Sequence, residues 1–424
     1  MIGGFDVKKT KIISIALISL LLIAMLTLLP SCGQSEEVVL NVYNWGEYIS
    51  DGADDSLAVN AEFENYFNEN LSEKYGFNIK VNYTTYSSNE ELYAKMKNTN
   101  TSYDVIIPSD YLVALLIRED MLHKINFENV PNFKYIDSAY IEGNYYDPTN
   151  EYSIPYTMGK VGIIYNTDLI TDTIDSWSAL WNPEYQEMGI LQFNNSRDAF
   201  ATAQFLLNSS INVSVKDKEG KAVWDNAFKK LMEQKPIIQK YVMDEVFNKM
   251  GAGNAAIAPY YAGDFFTMYA SNESLAFAYP EEGSNVFVDA MCIPKNSKNK
   301  ELAELYINFM LDPEIARANA EYICYASPHT EVFNNEDYIA YMNEEIHPEA
   351  IDILYNNFEK DFINEGFIAL DDETQEYLNS LWDSLKVEGT TPLYLYVTSA
   401  VIIVALVVAI IFFTIRRKRR EKTY

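Results

Sequence analysis

Short apolar strands alternate with helical patterns along most of this chain, and that alternation restricts the fold to the α/β class. The first unit begins with a strand at Val38–Tyr43, continues as a helical apolar pattern through Leu71, and returns as a strand at Phe77–Tyr83. The short strand within Tyr103–Ser109 is apolar, as in a sheet that is covered on both faces. The pattern therefore predicts repeated β-α units.

One predicted strand, Glu151–Asn166, is longer than the others. A strand of that length suits a crossover between two lobes, and a chain of 424 residues is long enough for two domains. We expect lobe 1 at 38–150, with about 265–322 returning to it, and lobe 2 at 151–264, with about 323–388 returning to it.

Both ends of the chain are apolar and carry basic residues. Residues 1–33 predict a targeting segment in which Cys32, within a bacterial lipobox-like stretch, is a candidate for lipidation; an uncleaved signal anchor is the alternative. Residues 393–415 predict a transmembrane helix, since a helix of about 35 Å can cross a hydrocarbon core of ~30 Å. The basic tail at 416–424 is expected to stay in the cytoplasm, which places the region between the two apolar segments outside.

The net charge of −29 comes from 61 acidic and 32 basic residues. This acidity argues against nucleic acid as a partner and favours a cationic ligand, although solubility outside the cytoplasm explains it equally well. The three histidines show no metal-ligand spacing, so no metal and no cofactor are predicted. Cys292 and Cys324 are expected to be buried thiols, with a disulfide as the alternative.

Aromatic and acidic side chains stand at the ends of four predicted strands and inside a later one. Strand ends are where open α/β folds bind ligands, and in a two-lobed protein they face a shared cleft. A carboxylate there can pair with an ammonium, while rings cover the attached methylenes. The residues are Trp45, Glu47 and Tyr48; Tyr86 with Ser88; Asp198; Tyr261 with Asp264; and Asp289 within the later strand.

Five sequence runs make the region from about Val39 to Val387 similar to the spermidine/putrescine-binding proteins of bacterial ABC importers. The resemblance implies a two-lobed, periplasmic-binding-protein-like fold of type II, with hinged mixed sheets flanked by helices, to which we add the C-terminal transmembrane helix. It also implies a membrane-anchored receptor that passes a polyamine to a separate permease and ATPase. The runs are Tyr43–Tyr48, Ser88–Glu90, Tyr103–Ser109, Tyr152–Tyr156 and Asp289–Pro294.

The same resemblance implies a set of ligand-binding residues. Two positions depart from the family pattern, because Tyr261 stands where tryptophan is expected and Asn195 where an aspartate is common. The missing carboxylate favours a diamine such as putrescine over the longer triamine. The implied residues are Trp45, Glu47, Tyr48, Tyr86, Ser88, Ser109, Asp198, Tyr261, Asp264 and Asp289.

Two other classes of function remain open at this level. An exported hydrolase of the glycosidase kind could use two of the carboxylates as acid and base, although the sequence shows no catalytic signature. A surface sensor or adhesin is the third possibility. Binding of a polyamine without its consumption distinguishes the receptor from the enzyme.

Overall fold

The computed structural model describes residues 36–98, 101–356 and 364–387. Within these ranges the strands follow the spatial order β2-β1-β3-β9-β4-β7-β5-β6, with β10 paired to β9 and β8 to β4. The strands are β1 (Glu36–Trp45), β2 (Phe77–Tyr86), β3 (Val105–Ile106), β4 (Ser153–Asn166), β5 (Ile190–Phe193), β6 (Ile238–Val242), β7 (Ile257–Tyr261), β8 (Leu275–Ala278), β9 (Ser284–Cys292) and β10 (Asn364–Gly366).

Helices pack against the strands, with short 3-10 and π-helical turns between them. The α-helices are α1 (Val59–Asn70), α2 (Ser72–Tyr75), α3 (Asn89–Asn98), α4 (Asp110–Arg118), α5 (Ser196–Leu206), α6 (Lys218–Gln234), α7 (Glu245–Gly251), α8 (Ala262–Ser271), α9 (Lys300–Met310), α10 (Pro313–Ile323), α11 (Thr330–Phe333), α12 (Glu336–Tyr341) and α13 (Asp372–Val387).

Strands β1, β2 and β3 with their helices form what we call the first lobe. Strands β1 and β2 run parallel and in register, so that Trp45 lies beside Tyr86 at their carboxyl ends. Strand β3 extends the parallel sheet by pairing Val105 with Val42 of β1. Because parallel strands end at the same edge of a sheet, the residues that follow them converge there.

Strand β4 joins this lobe to the second one, which contains β5, β6 and β7 with their helices. Residues 153–160 of β4 pair with β9, and residues 161–165 pair with β7. Strand β5 then runs parallel to both β7 and β6. The prediction of a long crossover strand at Glu151–Asn166 is therefore confirmed, with observed bounds Ser153–Asn166.

Each lobe has an apolar core of its own. Leu40 and Phe63 are fully buried in the first, and Trp177 is almost fully buried in the second. Removing such side chains from water, at ~25 cal/mol per Å², is the main favourable contribution to stability. Cys292 and Cys324 are buried free thiols, as predicted, and do not form a disulfide.

The last described segment, residues 364–387, packs against the second lobe. Helix α13 lies on α5 and α6, where Leu378 and Leu385 are fully buried beside Phe200 and Trp224. The preceding strand β10 pairs with β9. Phe367, between β10 and α13, lines the pocket between the lobes.

The predicted fold class needs one correction. Among the described residues, no helix has the length and apolar character needed to cross a membrane. The range assigned to the transmembrane helix, 393–415, lies outside the described residues, as do the targeting segment 1–33 with Cys32 and the tail 416–424. What the described ranges form is the two-lobed α/β fold alone.

Replacing Leu378 by alanine tests the packing of α13. Because the side chain is fully buried in a closed apolar cluster, Leu378→Ala should lower the free energy of unfolding by about 2–5 kcal/mol in chemical denaturation. Leu207→Ala, at a leucine that is 39% exposed, should cost less than about 1 kcal/mol. Equal losses at the two positions would contradict the observed docking of the helix.

Candidate functional site

Strand ends from both lobes surround one pocket of about 780 Å³, its open mouth included. The first lobe contributes the turn after β1 and the residues that follow β2 and β3. The second lobe contributes the residues that follow β5, β6 and β7, and β9 passes along the wall between them. The convergence of strand ends predicted from the sequence is thus present in the structure.

Nine of the ten predicted residues line this pocket. The tenth, Glu47, lies on the same turn with a left-handed backbone (φ 51°) and an exposed side chain. Asn195, one of the two departures from the family pattern, also lines the pocket. The nine are Trp45, Tyr48, Tyr86, Ser88, Ser109, Asp198, Tyr261, Asp264 and Asp289.

Trp45 and Tyr86 form an aromatic wall at the ends of β1 and β2. Their ring centroids are 4.6 Å apart. The Trp45 indole N–H donates to the carbonyl of Ile107 at 2.9 Å, and the Tyr86 hydroxyl donates to the same oxygen at 2.7 Å. One backbone acceptor therefore holds both rings in place, and such ring faces attract ammonium groups and cover methylenes.

Asp289 is a carboxylate within β9 that is only 3% exposed. The Tyr48 hydroxyl donates to its Oδ2 at 2.7 Å. Burial raises the pKa of Asp289 to about 6, despite the opposing effect of the Ser109 and Tyr48 hydroxyls. Its Oδ1 has no hydrogen-bond partner among the described residues. A buried carboxylate in this state favours a cationic donor.

Asp198 lies in the first turn of α5. The Asn195 side chain caps this helix by accepting from the Asp198 backbone N–H at 2.8 Å, and its amide donates to the carboxylate at 2.7 Å. The Tyr261 hydroxyl donates to the same carboxylate oxygen at 2.8 Å. Burial nevertheless raises the pKa of Asp198, so these neutral donors do not fully replace water around the charge.

Asp264 lies in the first turn of α8, the helix that follows β7. Burial raises its pKa to about 8, the Tyr325 hydroxyl opposes that rise, and the negative charges of Asp244 and Glu47 add to it. Tyr325 reaches this position because its ring packs on Gly263, where an added Cβ would lie 2.3 Å from the ring. The glycine is therefore required for the approach of Tyr325 to the carboxylate.

Arg197 is a buried cation that the sequence analysis did not assign to the site. It is 2% exposed and lies 4.2 Å from the ring of Phe367 and 5.2 Å from that of Tyr111. One terminal nitrogen donates to the carbonyl of Ile368 at 3.2 Å, while Nε and Nη2 have no partner among the described residues. Its charge lowers the pKa of Asp198.

Several other residues that line the pocket were not predicted from the sequence, although the sequence pattern indicates some of them. Phe287 lies two residues before Asp289 on β9, so strand alternation places both on one face. Tyr111 is the second residue of α4, the helix that follows β3. Asp244 and Phe367 follow β6 and β10, two strands that no sequence pattern predicted. No group of His, Cys, Asp and Glu in the described ranges is placed to hold a metal ion.

Residues 100–343 match the family model described as bacterial extracellular solute-binding protein. The chain belongs to that family. A second model, described as hypothetical lipoprotein (MG045 family), matches residues 8–142. The spermidine/putrescine-binding periplasmic protein of Salmonella typhimurium is 34% identical over 296 residues, which are 69% of this chain and 78% of that protein.

Further relatives agree with this assignment. The putrescine-binding periplasmic protein SpuD of Pseudomonas aeruginosa is 29% identical over 298 residues, covering 66% of this chain and 76% of that protein. The solved structure of the spermidine/putrescine ABC transporter substrate-binding protein PotD from Streptococcus pneumoniae is 30% identical, with a TM-score of 0.60 over 83% of this chain and 99% of that one. The Tp0655 lipoprotein of Treponema pallidum shares the fold, with a TM-score of 0.61 at 24% identity over 82% of this chain and 99% of that one.

These comparisons confirm both the family and the two-lobed fold predicted from the sequence. The relatives are substrate-binding proteins rather than enzymes, so the hydrolase alternative receives no support. A family of extracellular proteins also agrees with the predicted location outside the cytoplasm.

The raised pKa values of three carboxyls predict how stability depends on pH. Burial raises the pKa of Asp289 to about 6, that of Asp264 to about 8, and that of Asp110, which begins α4 and also lines the pocket, to about 7. The corresponding pKa in an unfolded chain is about 3.9. Between these limits the folded state holds protons that the unfolded state releases, so these groups make the ligand-free protein less stable as pH rises from about 4 to about 8.

Asp264→Asn should therefore reduce the fall in melting temperature between about pH 5 and pH 8, because the amide does not titrate. Thermal denaturation across this range measures the effect. Asp120→Asn, which removes an exposed carboxylate outside the pocket with 80% of its side chain accessible, should leave the wild-type slope unchanged. The prediction for Asp264 fails if its variant and wild type show the same slope.

Proposed function

We propose that this protein is the substrate-binding component of an ABC importer, which captures putrescine or spermidine between its lobes and delivers it to a permease and ATPase. Its relatives carry spermidine/putrescine-binding and putrescine-binding names. The pocket supports the same ligand class independently, because it combines carboxylates at several positions with aromatic walls.

The observation that carries this proposal is the state of Asp289. A carboxylate that is 3% exposed, with Oδ1 lacking any partner among the described residues, leaves a strong acceptor unsatisfied. An ammonium group supplies both the opposite charge and up to three N–H donors. A neutral sugar or an anion would leave the charge uncompensated.

An alkyl polyamine also matches the rest of the pocket lining, because its amines can pair with carboxylates and its methylenes can pack against rings. Its amines are charged at neutral pH, so each needs a carboxylate when buried. The methylenes between the amines gain ~25 cal/mol per Å² on burial, and desolvated cation–π contacts add ~2 kcal/mol. The residues proposed to supply these contacts are the ten predicted ones: Trp45, Glu47, Tyr48, Tyr86, Ser88, Ser109, Asp198, Tyr261, Asp264 and Asp289.

Closure of the two lobes on the ligand would make capture selective. A ligand that touches both lobes stabilises the closed arrangement alone.

We propose lobe 1 at 38–150 and lobe 2 at 151–264, with later segments returning to each. The segment 265–283 is assigned to lobe 2, because Phe265 and Phe266 pack in the same core as Ile163. Arg197 of lobe 2, beside the Tyr111 ring of lobe 1, is a contact across the gap.

Isothermal titration calorimetry of the full-length protein with putrescine and spermidine tests the proposal. We expect micromolar or tighter affinity for at least one of them, with the polyamine recovered unchanged afterwards. Absence of binding to both would reject polyamine capture, and consumption of the ligand would point to an enzyme instead.

Asp289→Asn should weaken putrescine binding at least tenfold, or about 1.4 kcal/mol. The amide keeps the shape of the side chain and can still accept from Tyr48, so the loss reports mainly on the missing charge. Calorimetry measures it, with Asp120→Asn as a variant that removes one exposed negative charge elsewhere. Equal affinities of the two variants would exclude Asp289 from the binding site.

A further inference from the structure

We propose that Asp244 forms a third ammonium-binding position at the mouth of the pocket, so that the protein prefers a triamine to a diamine. This inference rests on the proposed polyamine-binding function and deepens it. It reverses the expectation, drawn from Asn195 in the sequence, that a diamine is preferred.

The position of Asp244 sets it apart from the inner carboxylates. It follows β6 of the second lobe and lines the pocket, but its side chain is exposed. Its Oδ2 lies 3.5 Å from the place where a Cβ on Gly46 would stand. Gly46 belongs to the turn after β1 of the first lobe, so Asp244 faces the other lobe across the mouth.

Burial orders four carboxylates of the pocket lining, from the exposed Asp244 through the half-buried Asp264 to the buried Asp198 and Asp289. The pKa of Asp264 is raised by Asp244 and, more weakly, by Asp289. The pKa of Asp289 is raised in turn by Asp198. These acids therefore form a row that starts with Asp244 at the mouth and continues through Asp264 to Asp289 and Asp198 in the interior. A row of separated negative charges suits an elongated polycation better than a compact one.

The two ends of this row differ in how their charge is balanced. At the inner end, the Arg197 guanidinium already lowers the pKa of Asp198. At the mouth, no Lys or Arg nitrogen of the described residues lies within 4.0 Å of the Asp244 carboxylate, and Lys240 pairs with the neighbouring Glu245 instead. The carboxylate that Asn195 replaces would have stood at the inner end, where Arg197 already supplies a positive charge. The carboxylate of Asp244 stands at the mouth, where the described residues place no such cation.

The buried Asp289 indicates that this row of carboxylates binds a ligand, because the described part of the protein does not satisfy all of its hydrogen-bond acceptors. Asp289 Oδ1 lacks a hydrogen-bond partner among the described residues and is almost fully buried in the same pocket. Once ammonium groups occupy the inner positions, a third amine on the same chain reaches toward the mouth. There Asp244 and the exposed Glu47 place negative charge near Asp264, and Glu245 and Glu91 add negative charge around Asp244 itself.

Calorimetry with spermidine and putrescine on full-length wild type and Asp244→Asn tests the inference. We expect spermidine to bind wild type more tightly than putrescine. The variant should lose roughly fivefold in spermidine affinity and less than about twofold in putrescine affinity, as for a partly exposed charge pair. Asp244→Glu, which retains the charge, should keep spermidine affinity within about twofold of wild type.

Asp120→Asn is the control, since it removes one exposed negative charge from a residue outside the pocket lining. It should leave the ratio of the two affinities unchanged. Equal losses of both ligands in Asp244→Asn, or no loss of either, would overturn the third position while leaving polyamine binding intact. Wild type that binds neither ligand would overturn the proposed function and this inference together.

Discussion

Carboxylates held away from water without matching cations are the constraint on which the rest of this structure depends. Asp264 and Asp289 are so placed that burial raises the pKa of both, and the donors around them are neutral hydroxyls. Ionising both carboxyls in the empty, closed pocket is costly, because burial and their mutual repulsion both favour the neutral acids. A ligand with separated positive charges relieves this repulsion, which gives binding and closure a common cause.

The scaffold meets this constraint by bringing strand ends together from two lobes. Parallel pairing of β1 with β2 sets Trp45 beside Tyr86, and pairing of β4 with β9 holds Asp289 in the wall between the lobes. The rings need firm support, because a mobile ring would lose rotamer entropy on binding. That support comes from the carbonyl of Ile107 and from the Tyr325 ring packed against Gly263.

Much of the pocket was predictable because its residues follow strands with clear apolar patterns. Trp45 and Tyr261 are at such strand ends, and Asp289 interrupts an apolar run. Asp244 was not predictable, since the β6 sequence Ile-Gln-Lys-Tyr-Val is partly exposed and shows no alternation. Phe367 follows a strand of three residues, too short for any periodicity. The role of Arg197 depends on tertiary neighbours from two distant segments, which no local pattern specifies.

A crystal structure of the protein grown with putrescine tests the central claim most directly. We predict the diamine between the lobes, with one ammonium within hydrogen-bond distance, about 3 Å, of Asp289 Oδ1 and the other near Asp198 or Asp264. The methylenes should lie against the rings of Trp45 and Tyr261. Density for the ligand outside this pocket, or inside it with both ammonium groups distant from every carboxylate, would contradict the claim.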